Sequence, residues 1–336
     1  MTKVLFIAEA GVNHNGNINL AKKMIKIAKV CGADFVKFQT YDCDNLLLKD
    51  AKKTPYQIKN TNNINENQYL MLKKYQLSYS DHIKLIKECK KNKIKFISSP
   101  FDLPSIKLLK KLRLTYIKIP SGEITNYPYL KEIGLLKKKV ILSSGMANLL
   151  EIKNAINILT KYGTPKKNIS VLHCHSSYPT FSKDVNMNAM IKIKKKFKLN
   201  YGYSDHTLGS EASLMAVSLG AKIIEKHFTL NKKLPGPDHL ASCSIVELKS
   251  LIYSIRKIES MKGNFKKEPT KEEKKNLPIV RKSIYAKKKI LKGEKFNEKN
   301  LITLRPQKGI SANKWFKILN KKSKKNYQPG NLIEEN

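Results

Sequence analysis

Arginine, tryptophan and paired cysteine are all scarce in this chain. Of its 66 basic residues only Arg113, Arg256, Arg281 and Arg305 are arginines, and the single tryptophan is Trp315. Nucleic-acid-binding surfaces gather basic residues into a patch or stripe, with aromatic side chains where single strands stack. Here the lysines are dispersed over helix-like faces, as at Lys22, Lys23, Lys26 and Lys29 or at Lys107, Lys110 and Lys111. The net charge of +40 therefore reads as a solvated basic surface that raises the encounter rate of acidic substrates. Neither nucleic acid nor membrane is expected as a partner. The five cysteines, Cys31, Cys43, Cys89, Cys174 and Cys243, form no CxxC pair and no secreted-scaffold spacing, which points to reduced thiols. No run approaches about 18 uninterrupted apolar residues. No charged n-region and apolar h-region precede the first apolar run at Val4, so a soluble, cytoplasmic protein is expected.

Eight strand-like runs are present, alternating with helical patterns: Val4–Glu9, Phe35–Gln39, Phe96–Pro100, Tyr116–Ser121, Val140–Ser144, Ser170–Ser176, Tyr201–His206 and Ile223–His227. Each is rich in Val, Ile, Tyr or Phe, as strands of a buried parallel sheet are. Eight βα units predict a TIM (β/α)8 barrel of the α/β class, with its active site at the C-terminal ends of the strands. Nearly every run ends in a chemically capable residue, so these groups should converge on one mouth. The stripes Leu20, Met24, Ile27, Cys31 and Leu248, Leu251, Ile255, Ile258 predict helices packed on the barrel. The longest irregular connection, Tyr41 to about Glu66, sits after the second strand, where it would serve as a substrate lid. Residues 1–260 form the predicted barrel and 261–279 a polar linker. Residues 280–336 make a small, mostly β domain with strands at Ser283–Ala286 and Leu301–Leu304. That last unit is too small to bury a large core of its own.

His206 and His227 end consecutive strands. Adjacent strands lie about 4.8 Å apart, so two imidazoles there can share one metal ion. With water and substrate oxygens completing an octahedron, Mn²⁺ is favoured, and a third His or Cys to build a zinc site is not evident. Lys37 and Lys118 interrupt otherwise apolar strands. A buried ammonium must meet an anion, either a substrate or an internal carboxylate such as Glu9 or Glu123. The turns Ser-Ser-Pro (98–100), Pro-Ser-Gly-Glu (120–123) and Ser-Ser-Gly (143–145) can present backbone N–H groups and hydroxyls to phosphate or carboxylate. Together these features describe a multiply charged anionic substrate beside a metal. Glu9, Asp205, Glu225 and Asp238 supply carboxylates for acid–base work, Asp205 serving equally as an orienting partner for a histidine. His173 reads as packing, His175 as rim- or solvent-facing, and His14 as part of a turn.

Seven segments in order, Ala-Glu-Ala-Gly-Val-Asn-His-Asn-Gly (8–16), Val-Lys-Phe-Gln-Thr (36–40), Lys-Ile-Pro-Ser-Gly-Glu (118–123), Leu-Ser-Ser-Gly-Met (142–146), Tyr-Ser-Asp-His-Thr (203–207), Glu-Lys-His-Phe-Thr-Leu (225–230) and Gly-Pro-Asp-His (236–239), resemble the bacterial sialic acid synthases. The tail, with Arg-Lys-Ser (281–283), Lys-Gly-Glu (292–294) and Arg-Pro-Gln-Lys-Gly-Ile-Ser (305–311), is similar to that family's antifreeze-like (SAF) domain. The resemblance implies an enzyme condensing phosphoenolpyruvate with an N-acyl mannosamine-type sugar to a nonulosonic acid and phosphate. It implies Lys37, Lys118, Ser121 and Ser143, with Ser99 and Ser204, for phosphoenolpyruvate, Glu9 and Glu225 with the two lysines in catalysis, and His206 and His227 for the metal. Mn²⁺ is the expected ion, with Mg²⁺ or Co²⁺ compatible. Gln39, Asn63, Tyr178 and Asp238 would contact the sugar, joined by Arg305 from the partner subunit of a homodimer in which the SAF domain caps the partner's barrel. The expected sugar is N-acetylmannosamine, making an N-acetylneuraminate synthase. The alternative is 2,4-diacetamido-2,4,6-trideoxymannose, making an N,N'-diacetyllegionaminate synthase. More remote readings are a metal-dependent barrel aldolase or hydrolase and a basic nucleic-acid-binding protein.

Overall fold

Side-chain alternation along eight parallel strands sets the architecture. The computed structural model describes residues 3–334, which divide into two compact units, Met1–Lys262 and Gly263–Asn336. The first unit contains β1 (Leu5–Gly11), β2 (Phe35–Thr40), β3 (Lys95–Pro100), β4 (Tyr116–Ile119), β5 (Lys139–Ser143), β6 (Ile169–Cys174), β7 (Asn200–Asp205) and β8 (Ile223–His227). Their order is β3-β2-β1-β8-β7-β6-β5-β4, and β4 packs beside β3 to bring the sheet round into a barrel. Helices follow the strands and cover the outside, as a parallel sheet buried on both faces requires.

Ile7, Phe35, Ile97, Ile141, Leu172 and Ile223 fill the barrel's interior. Side chains two residues apart share a face, so the next interior positions along the same strands are Glu9, Lys37, Ser99, Ser143, Cys174 and Glu225. Apolar packing thus gives way to chemistry within one step of the pleat. The intervening residues Phe6, Ala8, Val36, Phe38, Tyr203 and Ile224 face outward into the helix layer. The first helix, Ile18–Val30, buries Ala21, Met24, Ile25 and Ala28. Its buried face is therefore rotated from the Leu20–Ile27 stripe toward alanines that let helix and strand approach closely.

The connection after β2 is more ordered than its composition predicts. It holds helices Cys43–Leu46 and Pro55–Thr61. Thr54 donates its N–H to Gln57 Oε1 (3.0 Å), and buried Lys53 reaches Glu66 Oε2 (3.0 Å) and Thr61 Oγ1 (3.1 Å). Asn60 Nδ2 donates to the Pro237 carbonyl (2.6 Å), tying the segment to the loop after β8.

In the second unit β9 (Ser283–Ala286) pairs antiparallel with β10 (Leu301–Leu304). Ile284, Ile290, Phe296, Leu301, Ile310, Tyr327 and Ile333 form its core. Part of the segment read as a linker is helical, Lys271–Val280, because Thr270 and Glu273 form a capping box at its start. None of its residues is buried. All five cysteines are buried and unpaired, and among the described residues no helix is long and apolar enough to cross a membrane.

Asp205 is not at the mouth. With Ser204 facing inward, the pleat turns Asp205 outward, where its Oδ2 lies 2.7 Å from Lys226 Nζ and accepts from Ser213 Oγ at 2.6 Å. The pair is buried and far better matched to holding β7, β8 and helix Glu211–Ser218 together than to orienting a histidine. Asp205→Ala leaves the Lys226 ammonium buried without its carboxylate, which should lower stability by about 3–5 kcal/mol. Urea unfolding measures this, and a loss below about 1 kcal/mol contradicts it.

Candidate active site

The barrel mouth is a cavity of about 410 Å³ lined by residues from all eight strands or the loops that follow them. On its floor Lys37 and Lys118, both buried, stand between two carboxylates. Lys37 Nζ lies 3.1 Å from Glu9 Oε2 and 3.5 Å from Glu225 Oε1, and Lys118 Nζ lies 3.4 Å from that same Glu225 oxygen. Each ammonium also donates to a serine, Lys37 to Ser99 Oγ (3.2 Å) and Lys118 to Ser143 Oγ (2.6 Å). Ser204 Oγ donates to Glu225 Oε1 at 2.9 Å. Lys37 therefore has the internal carboxylate partner that a buried ammonium requires, and it also faces the cavity. Glu123 is not part of the arrangement and pairs with Asn126.

The two carboxylates are driven apart. Burial raises Glu9 to about 7, the Lys37 charge offsetting only part of the cost and the neighbouring Glu225 adding to it. Burial pushes Glu225 the same way, but Lys118 and Lys37 together outweigh it and hold Glu225 at about 2. Burial lowers Lys118 below its ordinary value despite Glu225. Lys37, with two carboxylates nearby, is raised despite its burial. One carboxyl thus holds its proton readily and the other stays charged, which is the separation acid–base chemistry uses.

Beside the lysines, Gly145 closes a narrow turn. A Cβ there would stand 2.5 Å from Ser176 Oγ, 2.8 Å from Ser121 Oγ and 3.1 Å from Cys174 Sγ, so only glycine leaves room between these groups. Gly145 N–H donates to Ser121 Oγ at 3.1 Å.

His206 and His227 face each other with ring centroids 5.6 Å apart. Burial lowers His206 to about 4, and burial together with the His206 neighbour holds His227 well below the usual range, so both rings are neutral at pH 7. His206 Nδ1 lies 2.5 Å from the His175 carbonyl. A nitrogen facing a carbonyl must carry the proton, leaving the Nε2 lone pair available. His227 Nδ1 is buried without a hydrogen-bond partner and lies 3.8 Å from Asp238 Oδ2. Among the described residues no group of three or more His, Cys, Asp and Glu side chains could hold a metal. The pair alone does not make a closed zinc site, and an ion held by it would have to take its other ligands from water or substrate oxygens.

Of the predicted site residues, Glu9, Lys37, Gln39, Ser99, Lys118, Ser121, Ser143, Tyr178, Ser204, His206, Glu225, His227 and Asp238 all line this cavity. Asn63 does not. It is exposed, and its Oδ1 accepts from the N–H groups of Asn65 and Glu66, an Asx turn that consumes the side chain. Arg305 lies exposed at the end of β10 in the second unit. His173 Nε2 donates to the Val185 carbonyl (2.8 Å) and the ring packs on Tyr203, as expected of a structural ring. The structure adds Tyr56, which stacks on Tyr178 with centroids 5.0 Å apart, while Tyr178 lies against His206 at 4.1 Å. The long connection after β2 signals a lid, but nothing in the sequence pairs Tyr56 with a tyrosine 122 positions away.

The NeuB family profile matches residues 24–267, and the SAF domain profile matches residues 281–336. The chain is 54% identical over its full length to the N,N'-diacetyllegionaminic acid synthase of Campylobacter jejuni, covering 100% of both chains. It is 43% identical to the enzyme of the same name from Legionella pneumophila, covering 97% of this chain and 92% of that one. Among solved structures it is similar to the N-acetylneuraminic acid synthetase of Leptospira borgpetersenii, with a TM-score of 0.71 and 34% identity over 82% of this chain and 90% of that one.

The Glu9 shift has a thermodynamic sign. A carboxyl raised from 4.5 to about 7 in the folded state leaves the native protein with more bound proton than the unfolded chain across that window. Stability from this group is fully present below pH 4.5 and is lost as pH rises to about 7. Glu9→Gln removes the titration, so its stability relative to wild type should rise with pH across the window, by at most about 1.4 kcal/mol per pH unit. Denaturant unfolding of both proteins at several pH values reads the difference, and a pH-independent difference contradicts the assignment.

Proposed function

The chain belongs to the NeuB family, and from that membership we propose that it condenses phosphoenolpyruvate with 2,4-diacetamido-2,4,6-trideoxymannose and water, giving N,N'-diacetyllegionaminate and inorganic phosphate. This replaces N-acetylmannosamine as the favoured sugar. The motifs are shared across sialic acid synthases and do not choose the sugar, whereas the relatives that match at 54% and 43% identity carry the legionaminate name. The observation that carries the reading is the pair of buried lysines, Lys37 and Lys118, aimed from β2 and β4 into one cavity floor.

In this reading the lysines exchange their internal carboxylates for the substrate's anionic groups. Lys37, Lys118, Ser99 and Ser143 bind phosphate and carboxylate oxygens, Ser204 steadies Glu225 from the adjacent strand, and the Gly145 turn with Ser121 supplies a close, side-chain-free approach. The enol carbon C3 attacks the sugar aldehyde carbon, forming the new C–C bond, and the aldehyde oxygen takes a proton to become a hydroxyl. Positive charge develops at C2, beside the Glu225 carboxylate, whose low pKa keeps it ionised there. Water adds at C2 and gives up one proton, and the resulting C2 hydroxyl loses its second proton to the departing phosphate as the C2–O bond to phosphate breaks, leaving the ketone. Glu9, titrating near 7, is matched to give and recover the proton.

His206 and His227 would hold a divalent cation, Mn²⁺ by preference, which when bound supplies Lewis-acid polarisation of the aldehyde oxygen. Gln39, Tyr178 and Asp238 contact the sugar. We also propose a homodimer in which the SAF unit caps the partner's barrel and brings Arg305 to the sugar, and a fully active monomer in sedimentation would contradict it.

Phosphate release tests the reaction. With phosphoenolpyruvate and Mn²⁺, release should depend on the trideoxy sugar and be slower with N-acetylmannosamine. Lys118→Met should lower kcat/KM for phosphoenolpyruvate by about 10²-fold or more with an unchanged circular dichroism spectrum. Sugar-independent release, or a loss under about tenfold in the variant, would contradict the reading.

A further inference from the structure

The cavity has two unlike halves. Its floor is charged, as described. The segments following β1, β2 and β3 contribute Val12, Leu46, Leu47, Tyr56, Leu72 and Phe101 to the same cavity. Five of these six have no polar side-chain atom, and Tyr56 lays its ring on Tyr178. Two polar residues in this sector are tied to each other. Gln57 Oε1 accepts from Thr54 N–H (3.0 Å) and from Gln68 Nε2 (3.2 Å), so the two glutamines bind each other within the lid. Two further polar groups of the cavity sit with the floor: Gln39 Nε2 lies 3.5 Å from Glu9 Oε1, and Asp238 Oδ2 lies 3.8 Å from His227 Nδ1.

On the proposed reaction, on which this inference rests, the sugar's carbonyl carbon must meet an enol carbon held at the lysine floor. Carbons C4 to C6 then occupy the space the phosphoenolpyruvate leaves. We infer that the wall of Val12, Leu46, Leu47, Tyr56, Leu72 and Phe101 is the surface that selects a 6-deoxy, 4-acylamino sugar. It receives the C6 methyl group and the methyl of the 4-acetamido group. A hydroxyl at C6 would leave water for a surface whose side chains, the Tyr56 hydroxyl aside, offer it no donor or acceptor, and that lost hydrogen bond is the basis of discrimination. An apolar pocket rejects an added hydroxyl by a modest factor, about 10²-fold at most.

Two comparisons test the inference. On the substrate side, 2,4-diacetamido-2,4-dideoxymannose adds only the 6-hydroxyl. Its kcat/KM with the wild-type enzyme should fall about 10- to 100-fold below that of the trideoxy sugar. On the protein side, Leu47→Asn and Leu72→Gln, made separately, place hydrogen-bonding groups on the wall. Each should cut the ratio of kcat/KM for the trideoxy sugar over the 6-hydroxy sugar by about tenfold or more, with KM for phosphoenolpyruvate unchanged. That unchanged KM also reports that the floor is still folded. Equal wild-type turnover of the two sugars, or an unchanged ratio in active variants, would overturn the inference while leaving the proposed reaction standing. Absence of wild-type turnover with the trideoxy sugar would overturn both.

Discussion

Two ammonium groups held in the interior of a barrel against two carboxylates set the terms for everything at the mouth. A charge removed from water is tolerated only with a partner and hydrogen bonds. The Lys37, Lys118, Glu9 and Glu225 cluster meets that condition, sharing Glu225 Oε1 between both lysines and adding a serine to each. The sharing is uneven. Glu225 is held ionised by two cations while Glu9 has one and titrates far higher. A site balanced in this way can accept further negative charge, because an incoming anion replaces an internal partner instead of leaving a lysine bare.

The barrel makes such a cluster possible. Its strands are fixed in register by parallel pairing, with Glu9 opposite Lys37 on one side and His227 on the other. Beneath them a layer of Ile, Leu and Phe side chains keeps water out from below. Lys226 and Asp205 form an equally buried ion pair on the opposite face of the sheet, yet that pair is closed by Thr207 and Ser213 and faces helices. Two buried lysine clusters of similar chemistry therefore differ in consequence through the parity of the pleat alone. Facing the cavity leaves a lysine open to an incoming anion; facing the helices closes it into the packing.

Much of this was legible in the sequence for the same reason. The strand runs end where period-two counting puts polar residues on the interior face, so Lys37, Lys118, Glu225 and both mouth histidines could be placed from alternation. Asp205 follows the same parity outward, although it neighbours His206 in sequence. The Ile18–Val30 helix hides its buried face behind alanines, which carry little hydrophobic signal. In the connection after β2, local hydrogen bonds decided what composition could not. Asn63 is spent on its own turn, whereas Asn60, three residues earlier, reaches the Pro237 carbonyl across the mouth. Tyr56 depends on how a short helix seats against the opposite rim, a tertiary fact with no local trace. The motifs do not choose a sugar, since they are shared across the family, and the apolar side of the cavity is built of ordinary residues that form no motif.

A crystal structure of the full chain with phosphoenolpyruvate and Mn²⁺ most directly tests whether the buried cluster is an anion-exchange site. The account predicts phosphoenolpyruvate on the barrel floor, with the Nζ atoms of Lys37 and Lys118 within about 3 Å of its phosphate and carboxylate oxygens and at least one lysine moved off its carboxylate. Phosphoenolpyruvate bound elsewhere, with both lysines still locked on Glu9 and Glu225, would contradict it.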